Sequence, residues 1–340
     1  MVGSIIQLGR WLGPWADANE RPDARVIDDR VGVMQVRVYR PAAPERSGET
    51  YLIAPGLHYA AADDPRMDRF CRILTTAGHT VIVPFVPDFL ALVPTEQAKR
   101  DFAAAFEALP RWSDRKPIVF SISFGSLLAF ALAAECGPRI KRLVIFGGYF
   151  ELRETLEFCF TGKIGARQAA RDPMNQSVVL LNLLAELECT DRIAVAAAWR
   201  RFVERTWGHA ELKRDDRHHA VAQDLLPSVP ESVRELFLIG VGVLPGAREL
   251  VFDALDRFDT SALDPAPYLP KITNRVDLVH GTDDDVIPFE HSQRLAAALV
   301  NADVRCHITG LYGHTGAQRP PLMSTARELV TMLRVLRALA

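Results

Sequence analysis

The sequence has 340 residues, 49% of them apolar, 24% charged, and a formal net charge of −2. That length suits a large domain with an insertion, or two modest domains, and the apolar fraction excludes global disorder. The near-balanced charge is scattered and forms no basic block, so nucleic acid is not an expected partner.

Five dispersed cysteines, Cys71, Cys136, Cys159, Cys189 and Cys306, include no C-x-x-C pair. They read as reduced, mostly buried thiols in a reducing compartment. No apolar run approaches the ~18 residues of a membrane span, so no stable membrane insertion is expected. The start, MVGSIIQLGRWLGPW, lacks a basic segment followed by a sustained apolar core. A signal peptide is therefore not expected, and the expected location is cytoplasmic. Trp11 and Trp15 leave peripheral membrane contact open.

Residues 1–23 read as a short helix or an arm. From Arg25, and most clearly over Val31 to Tyr39, apolar and polar residues alternate, which predicts an antiparallel opening hairpin. Pro41, Pro44 and Ser47-Gly48 mark the surface turn that follows. Thr50 to Ala54 (TYLIA) is apolar without alternation, as in a strand covered on both faces. It runs into Pro55-Gly56-Leu57-His58. Asp63 or Asp64 can cap the next helix, with Pro65 in its first turn; Met67, Phe70, Cys71 and Leu74 give it an apolar face, and Gly78 ends it. His79 to Pro84 is a second buried strand. Thr95 opens a helix bearing Phe102, Phe106 and Leu109 on one face.

Lys116 to Ser126 (KPIVFSISFGS) then combines a β-branched apolar run, a turn and the start of a helix, with Ser123 at the apex. Lys141 to Gly147 is another buried strand. The β-α-β-α-β-α-β order with near-continuous apolar strands predicts a mainly parallel sheet with helices on both faces.

After Tyr149 helical patterns dominate: Glu151 to Phe160, Val178 to Leu187, Arg192 to Trp207 and, with interruptions, Ser232 to Leu255. His209 to His219 (HAELKRDDRHH) is charged and expected to face solvent. Its His209, Asp215, Asp216, His218 and His219 show no tight zinc spacing, so no metal is expected. The sheet resumes at Arg275 to His280. A helix is expected over Phe289 to Val300, a strand over Val304 to Ile308, and a closing amphipathic helix over Pro321 to Leu339. The expected division is 1–150 as the first part of a core, 151–270 as an inserted helical cap, and 271–340 as the second part of the core.

A serine hydroxyl becomes a nucleophile only when a positioned base takes its proton, and the base needs an acid to orient it. In a parallel sheet such groups belong at the C-terminal ends of strands. Ser123, Asp284 and His314 each follow such an end, in the order Ser, acid, His.

Those motifs resemble the α/β-hydrolase family over roughly residues 25–150 and 270–340. The elbow is Ser121 to Gly125. His280-Gly-Thr-Asp-Asp-Asp-Val-Ile-Pro288 is similar to the family's acid loop, which singles out Asp284 among three aspartates. Tyr312-Gly313-His314 is similar to the loop bearing the base. Pro55 to His58 lies where the family has its oxyanion loop. The resemblance implies an α/β-hydrolase fold with a large helical cap, a Ser123–His314–Asp284 triad, and oxyanion donors in the backbone amides of Leu57 and Phe124.

It also implies a serine hydrolase of the carboxylesterase type with no cofactor. The substrate would be a small ester with an apolar acyl or alkyl group. Acyltransferase or thioesterase activity is the alternative within the same chemistry, and a non-catalytic ligand-binding protein is the alternative outside it. His58 and Tyr59 either line the pocket or only fill the loop. Phe158, Phe160, Leu180, Leu183, Leu184, Trp199, Phe237 and Leu238 suggest an apolar pocket, part of which must be core. Two departures stand out: Ser121 occupies a position where the family has glycine, and Pro55 one where it often has histidine. Oligomeric state is not legible.

Overall fold

The computed structural model describes residues 2–13, 16–17, 19–42, 48–310, 312–313, 316–317 and 325–340. The chain divides into two compact units. The first comprises Met1–Phe150, Leu263–Thr282 and Phe289–Ala340; the second comprises Glu151–Ala262 and Asp283–Pro288. No helix among the described residues is long and apolar enough to cross a membrane.

The first unit is built on eight strands: β1 (Arg25–Val31), β2 (Met34–Arg40), β3 (Thr50–Ala54), β4 (Thr80–Pro84), β5 (Ile118–Ile122), β6 (Arg142–Phe146), β7 (Arg275–Gly281) and β8 (Asp303–Thr309). They lie in the order β1-β2-β4-β3-β5-β6-β7-β8. β2 is antiparallel to both β1 and β4, and every other pairing is parallel. The opening hairpin, with an alternating sequence, thus forms the antiparallel edge. All five residues of β3 are buried, as the unbroken apolar run requires of a central strand.

The longer helices of this unit are α1 (Val2–Leu12), α2 (Pro65–Thr76), α3 (Glu96–Glu107) and α4 (Gly125–Cys136), and later Glu290–Ala298 and Thr325–Leu339. The ambiguous N-terminal stretch thus contains a helix over Val2–Leu12. Pro44, Trp15 and Pro321 lie outside the described residues.

Local chemistry sets the helix starts. The Asp64 carboxylate accepts from the Arg66 and Met67 amides, with Pro65 at the first helical position. The Thr95 hydroxyl accepts from the Gln97 and Ala98 amides. Each such cap typically contributes about 1 kcal/mol. On one face of the sheet, Tyr51, Ile53, Val81, Val83 and Phe120 pack with Leu8 of α1, Cys71 and Leu74 of α2, and Val335 and Leu336 of the last helix. The buried Tyr51 hydroxyl donates to the Leu339 carbonyl at 2.6 Å, so the strand at the centre of the sheet also fixes that helix.

The second unit holds α5 (Leu152–Thr161), α6 (Gln176–Asn182), α7 (Arg192–Thr206), α8 (His218–Leu225), α9 (Arg234–Gly240) and α10 (Ala247–Leu255), with a two-residue ladder between Lys163–Ile164 and Arg167–Gln168. Trp199 and Phe202 of α7, Phe158 of α5 and Phe237 of α9 are fully buried. The Trp199 indole donates to the Phe237 carbonyl at 3.3 Å, and a Cβ on Gly240 would sit 2.4 Å from that indole nitrogen. Of the eight side chains expected to suggest a pocket, seven are buried; Leu238 alone among them is partly exposed.

Candidate active site

β5 ends at Ile122, and the next residue, Ser123, has φ +52°, a left-handed backbone that non-glycine residues rarely adopt. Three hydrogen bonds hold it there. The Ser123 amide donates to the Phe146 carbonyl at 2.8 Å, extending the β5–β6 ladder by one residue. The Ser126 and Leu127 amides donate to the carbonyls of Ser123 and Phe124 at 3.0 and 3.2 Å, which starts α4. Phe124 is already right-handed, at φ −58° and ψ −20°. The chain thus passes from strand to helix through one strained residue, the geometry of a nucleophile elbow.

The Pro55–His58 loop, expected to carry an oxyanion donor, follows the neighbouring strand β3. A Cβ on Gly56 would lie 3.6 Å from the Ser123 Cβ and 3.3 Å from the Ile122 carbonyl oxygen, so the backbone of this loop passes directly beside the elbow. Leu57 is buried. Among the described residues, neither the Leu57 nor the Phe124 amide has a hydrogen-bond acceptor. Oxyanion stabilisation draws on backbone donors left free in this way.

Ser121, which stands where glycine was expected, is fully buried between β3 and β6. Its hydroxyl has no partner among the described residues. A buried unsatisfied hydroxyl typically costs about 1–3 kcal/mol. Ser121→Ala is therefore expected to raise stability by about 1 kcal/mol in urea unfolding, with Ser123 reactivity unchanged. A loss of stability would show that the hydroxyl is satisfied.

The C-terminal ends of the other parallel strands lie at the same edge. Ile122 of β5 pairs with Phe146 of β6, Phe146 with Val279 of β7, and Gly281 of β7 with Thr309 of β8. The Thr282 amide donates to the Thr309 carbonyl at 2.9 Å. His280, the first residue of the acid motif, is fully buried, and its Nδ1 is 2.7 Å from the Ser292 hydroxyl. That contact anchors the helix that follows the loop.

Asp284 belongs to the second unit and is 6% exposed. Its Oδ1 accepts from the Val286 and Ile287 amides at 2.9 and 2.8 Å, so this carboxylate is oriented by its own loop. His314 lies outside the described residues.

His58 is spoken for. Its Nδ1 accepts from the Ala60 amide at 3.1 Å, its Nε2 is 3.3 Å from the Asp64 carboxylate, and its ring stacks on Tyr59 with centroids 4.6 Å apart. Burial lowers its pKa, partly opposed by Asp64. These contacts tie the Pro55–His58 loop to the capped start of α2.

Most of the stretch His209 to His219 faces solvent as expected, but His218 and Lys213 turn inward. His218 is 1% exposed, with its Nδ1 3.3 Å from the Leu212 carbonyl. The Lys213 side chain is 16% exposed and lies between two carboxylates. Asp216, His218 and His219 bring potential ligand atoms within 4.8 Å of one another. The sequence offered little signal for this, because charged residues dominate the run.

No protein-family model matches the chain. A curated relative, the type A flavoprotein fprA of Rhodobacter capsulatus, is 35% identical over 89 residues, covering 24% of this chain and 20% of that protein. The chain thus matches about a fifth of that relative's length. Among solved structures, 2-hydroxy-6-oxo-6-phenylhexa-2,4-dienoate hydrolase (BphD) from Rhodococcus sp. strain RHA1 is 16% identical with a TM-score of 0.48, covering 92% of this chain and 100% of that one. An α/β hydrolase fold protein from Nakamurella multipartita is 20% identical with a TM-score of 0.43, covering 93% and 99%. The acylaminoacyl peptidase of Pyrococcus horikoshii is 10% identical with a TM-score of 0.46, covering 94% of this chain and 41% of that one. The decisive features are in the chain itself: a mostly parallel eight-stranded sheet, its reversed β2, and the strand–serine–helix elbow after β5. The protein has the α/β-hydrolase fold.

Proposed function

We propose that the protein is a serine hydrolase that cleaves a small carboxylic ester through an acyl-enzyme. The observation that carries this is Ser123, held at φ +52° beside the Gly56–Leu57 backbone with the Leu57 and Phe124 amides unspent. A strained serine flanked by idle donors serves acyl transfer and has no use in a plain binding site.

In this reading the Ser123 oxygen attacks the ester carbonyl while His314 takes its proton. The Leu57 and Phe124 amides hold the oxyanion. The intermediate collapses, the alcohol leaves with the proton from His314, and the acyl group remains on Ser123. Water then attacks with the same assistance and releases the acid. Asp284 fixes the His314 tautomer and stabilises the imidazolium.

The test uses p-nitrophenyl esters of increasing acyl length. The expected result is a burst of one nitrophenol per chain, then steady release of one acid per ester. Transfer to an added alcohol or thiol in preference to water would make the protein an acyltransferase. A native chain in which a fluorophosphonate fails to label Ser123 would overturn the catalytic reading in favour of a binding protein.

A further inference from the structure

The acid loop carries three consecutive carboxylates, Asp283, Asp284 and Asp285. Asp284 itself is met by two backbone amides. Asp285 is met by a cation from another segment of the second unit, at Lys213, 72 residues away.

The Lys213 ammonium is 2.6 Å from the Asp285 carboxylate and 2.9 Å from that of Asp172. The side chains of Lys213, Asp172 and Asp285 are 16%, 5% and 21% exposed. Below them the Asp172 amide donates to the Asp285 carbonyl at 2.9 Å, and the Asp172 Oδ1 accepts from the Met174 amide. The acid loop is therefore fastened to the 172–174 turn twice, by backbone and by ammonium. Burial pulls the Lys213 pKa down, but the two carboxylates prevail and raise it, so the amine stays charged. The other titratable groups facing this cluster within the unit are Arg171, the Cys159 thiol, which feels Asp172, Asp284 and Asp285, and His218, which feels Asp172.

We propose that Lys213 is a positioning residue for the acid, its ammonium clamping Asp285 to Asp172 so that the loop holds Asp284 in place. This rests on the serine-hydrolase reading, since a positioning role needs a triad to position. Lys213 touches neither substrate nor Ser123 in this scheme. It acts by geometry and by charge, and the two leave different signatures.

The experiment measures kcat and KM for a nitrophenyl ester across pH, with the labelling rate of Ser123 by a fluorophosphonate, in wild type and in the Lys213→Met, Lys213→Arg and Asp285→Asn variants. Lys213→Met is expected to lower kcat/KM about 10- to 100-fold, mostly in kcat, because small misplacements of catalytic groups carry penalties of that size. Lys213→Arg should recover most of the loss. Removing the cation makes the surroundings more negative, which raises the pKa of the histidine base, so the acid limb of the profile moves up in Lys213→Met. Removing the anion does the reverse, so the limb moves down in Asp285→Asn. If Lys213→Met does not fold, Asp285→Asn still keeps the Lys213–Asp172 pair and still decides the matter.

Opposite shifts support the clamp. Lost activity with the limbs unmoved, or kcat/KM within twofold of wild type in Asp285→Asn, would overturn it and leave the hydrolase reading standing. A wild type that takes no label would overturn both.

Discussion

Ser123→Ala is expected to lower ester hydrolysis by at least about a thousandfold while leaving the fold intact. The magnitude follows from the loss of the nucleophile with the oxyanion donors retained, which leaves only residual catalysis. The fold should survive because alanine removes one oxygen from a side chain that is 6% exposed and keeps the Cβ that the left-handed backbone already tolerates. The three hydrogen bonds that shape the elbow are all backbone bonds and do not involve the serine hydroxyl. The measurement is kcat for the best nitrophenyl ester, with circular dichroism and the melting temperature as controls. Equal activity in both proteins would remove Ser123 from the mechanism.

Gly125→Ala should act on the fold instead of the chemistry. A Cβ there would sit 2.3 Å from the Ala54 carbonyl oxygen and 2.5 Å from that of Pro55. Both are backbone atoms at the end of β3, held between β4 and β5, so they have little room to retreat. Overpacking against fixed backbone typically costs about 1–3 kcal/mol, and occasionally more. About 3 kcal/mol or above is expected here, with activity lost as the elbow opens away from the oxyanion loop. The midpoint of urea unfolding reads the first effect and the ester assay the second. Gly56→Ala makes a useful contrast, because its nearest atom is 3.3 Å away and the neighbour need give only slightly. A Gly125→Ala protein as stable and active as wild type would mean that β3 and α4 do not approach so closely.

The parts of the fold that were legible depend on neighbours in sequence. TYLIA had to be a central strand because no polar alternation offered it a solvent face. Thr95, and one of Asp63 and Asp64, were legible as caps because short polar side chains before apolar helices can reach the first free amides; the structure assigns the second cap to Asp64. The elbow was legible because strand, serine, glycine and helix sit within one short segment.

What escaped depends on partners far away. Lys213 and His218 stand in a charged run, and composition alone makes such a run solvated. Only the folded chain brings Asp172 and Asp285 to Lys213. The role of His58 is not legible in the sequence for a similar reason. Whether it faces a ligand or a carboxylate depends on where the start of α2 packs, and the structure puts Asp64 there. The apolar residues of the second unit were legible as buried but not as to what buries them. Helical periodicity identifies an apolar face without naming what lies against it.

The left-handed backbone at Ser123 has a consequence for how such a chain can change over generations. Glycine would sit at φ +52° without the penalty that any Cβ incurs there, of order 1 kcal/mol. Selection for stability alone would therefore favour glycine at this position, and only the need for the hydroxyl opposes it. A descendant freed from that need would gain stability by the exchange, since natural proteins keep destabilising residues chiefly where activity requires them. Persistence of a serine at such a position is thus a mark of use, because mutational drift toward the more stable fold would erase it.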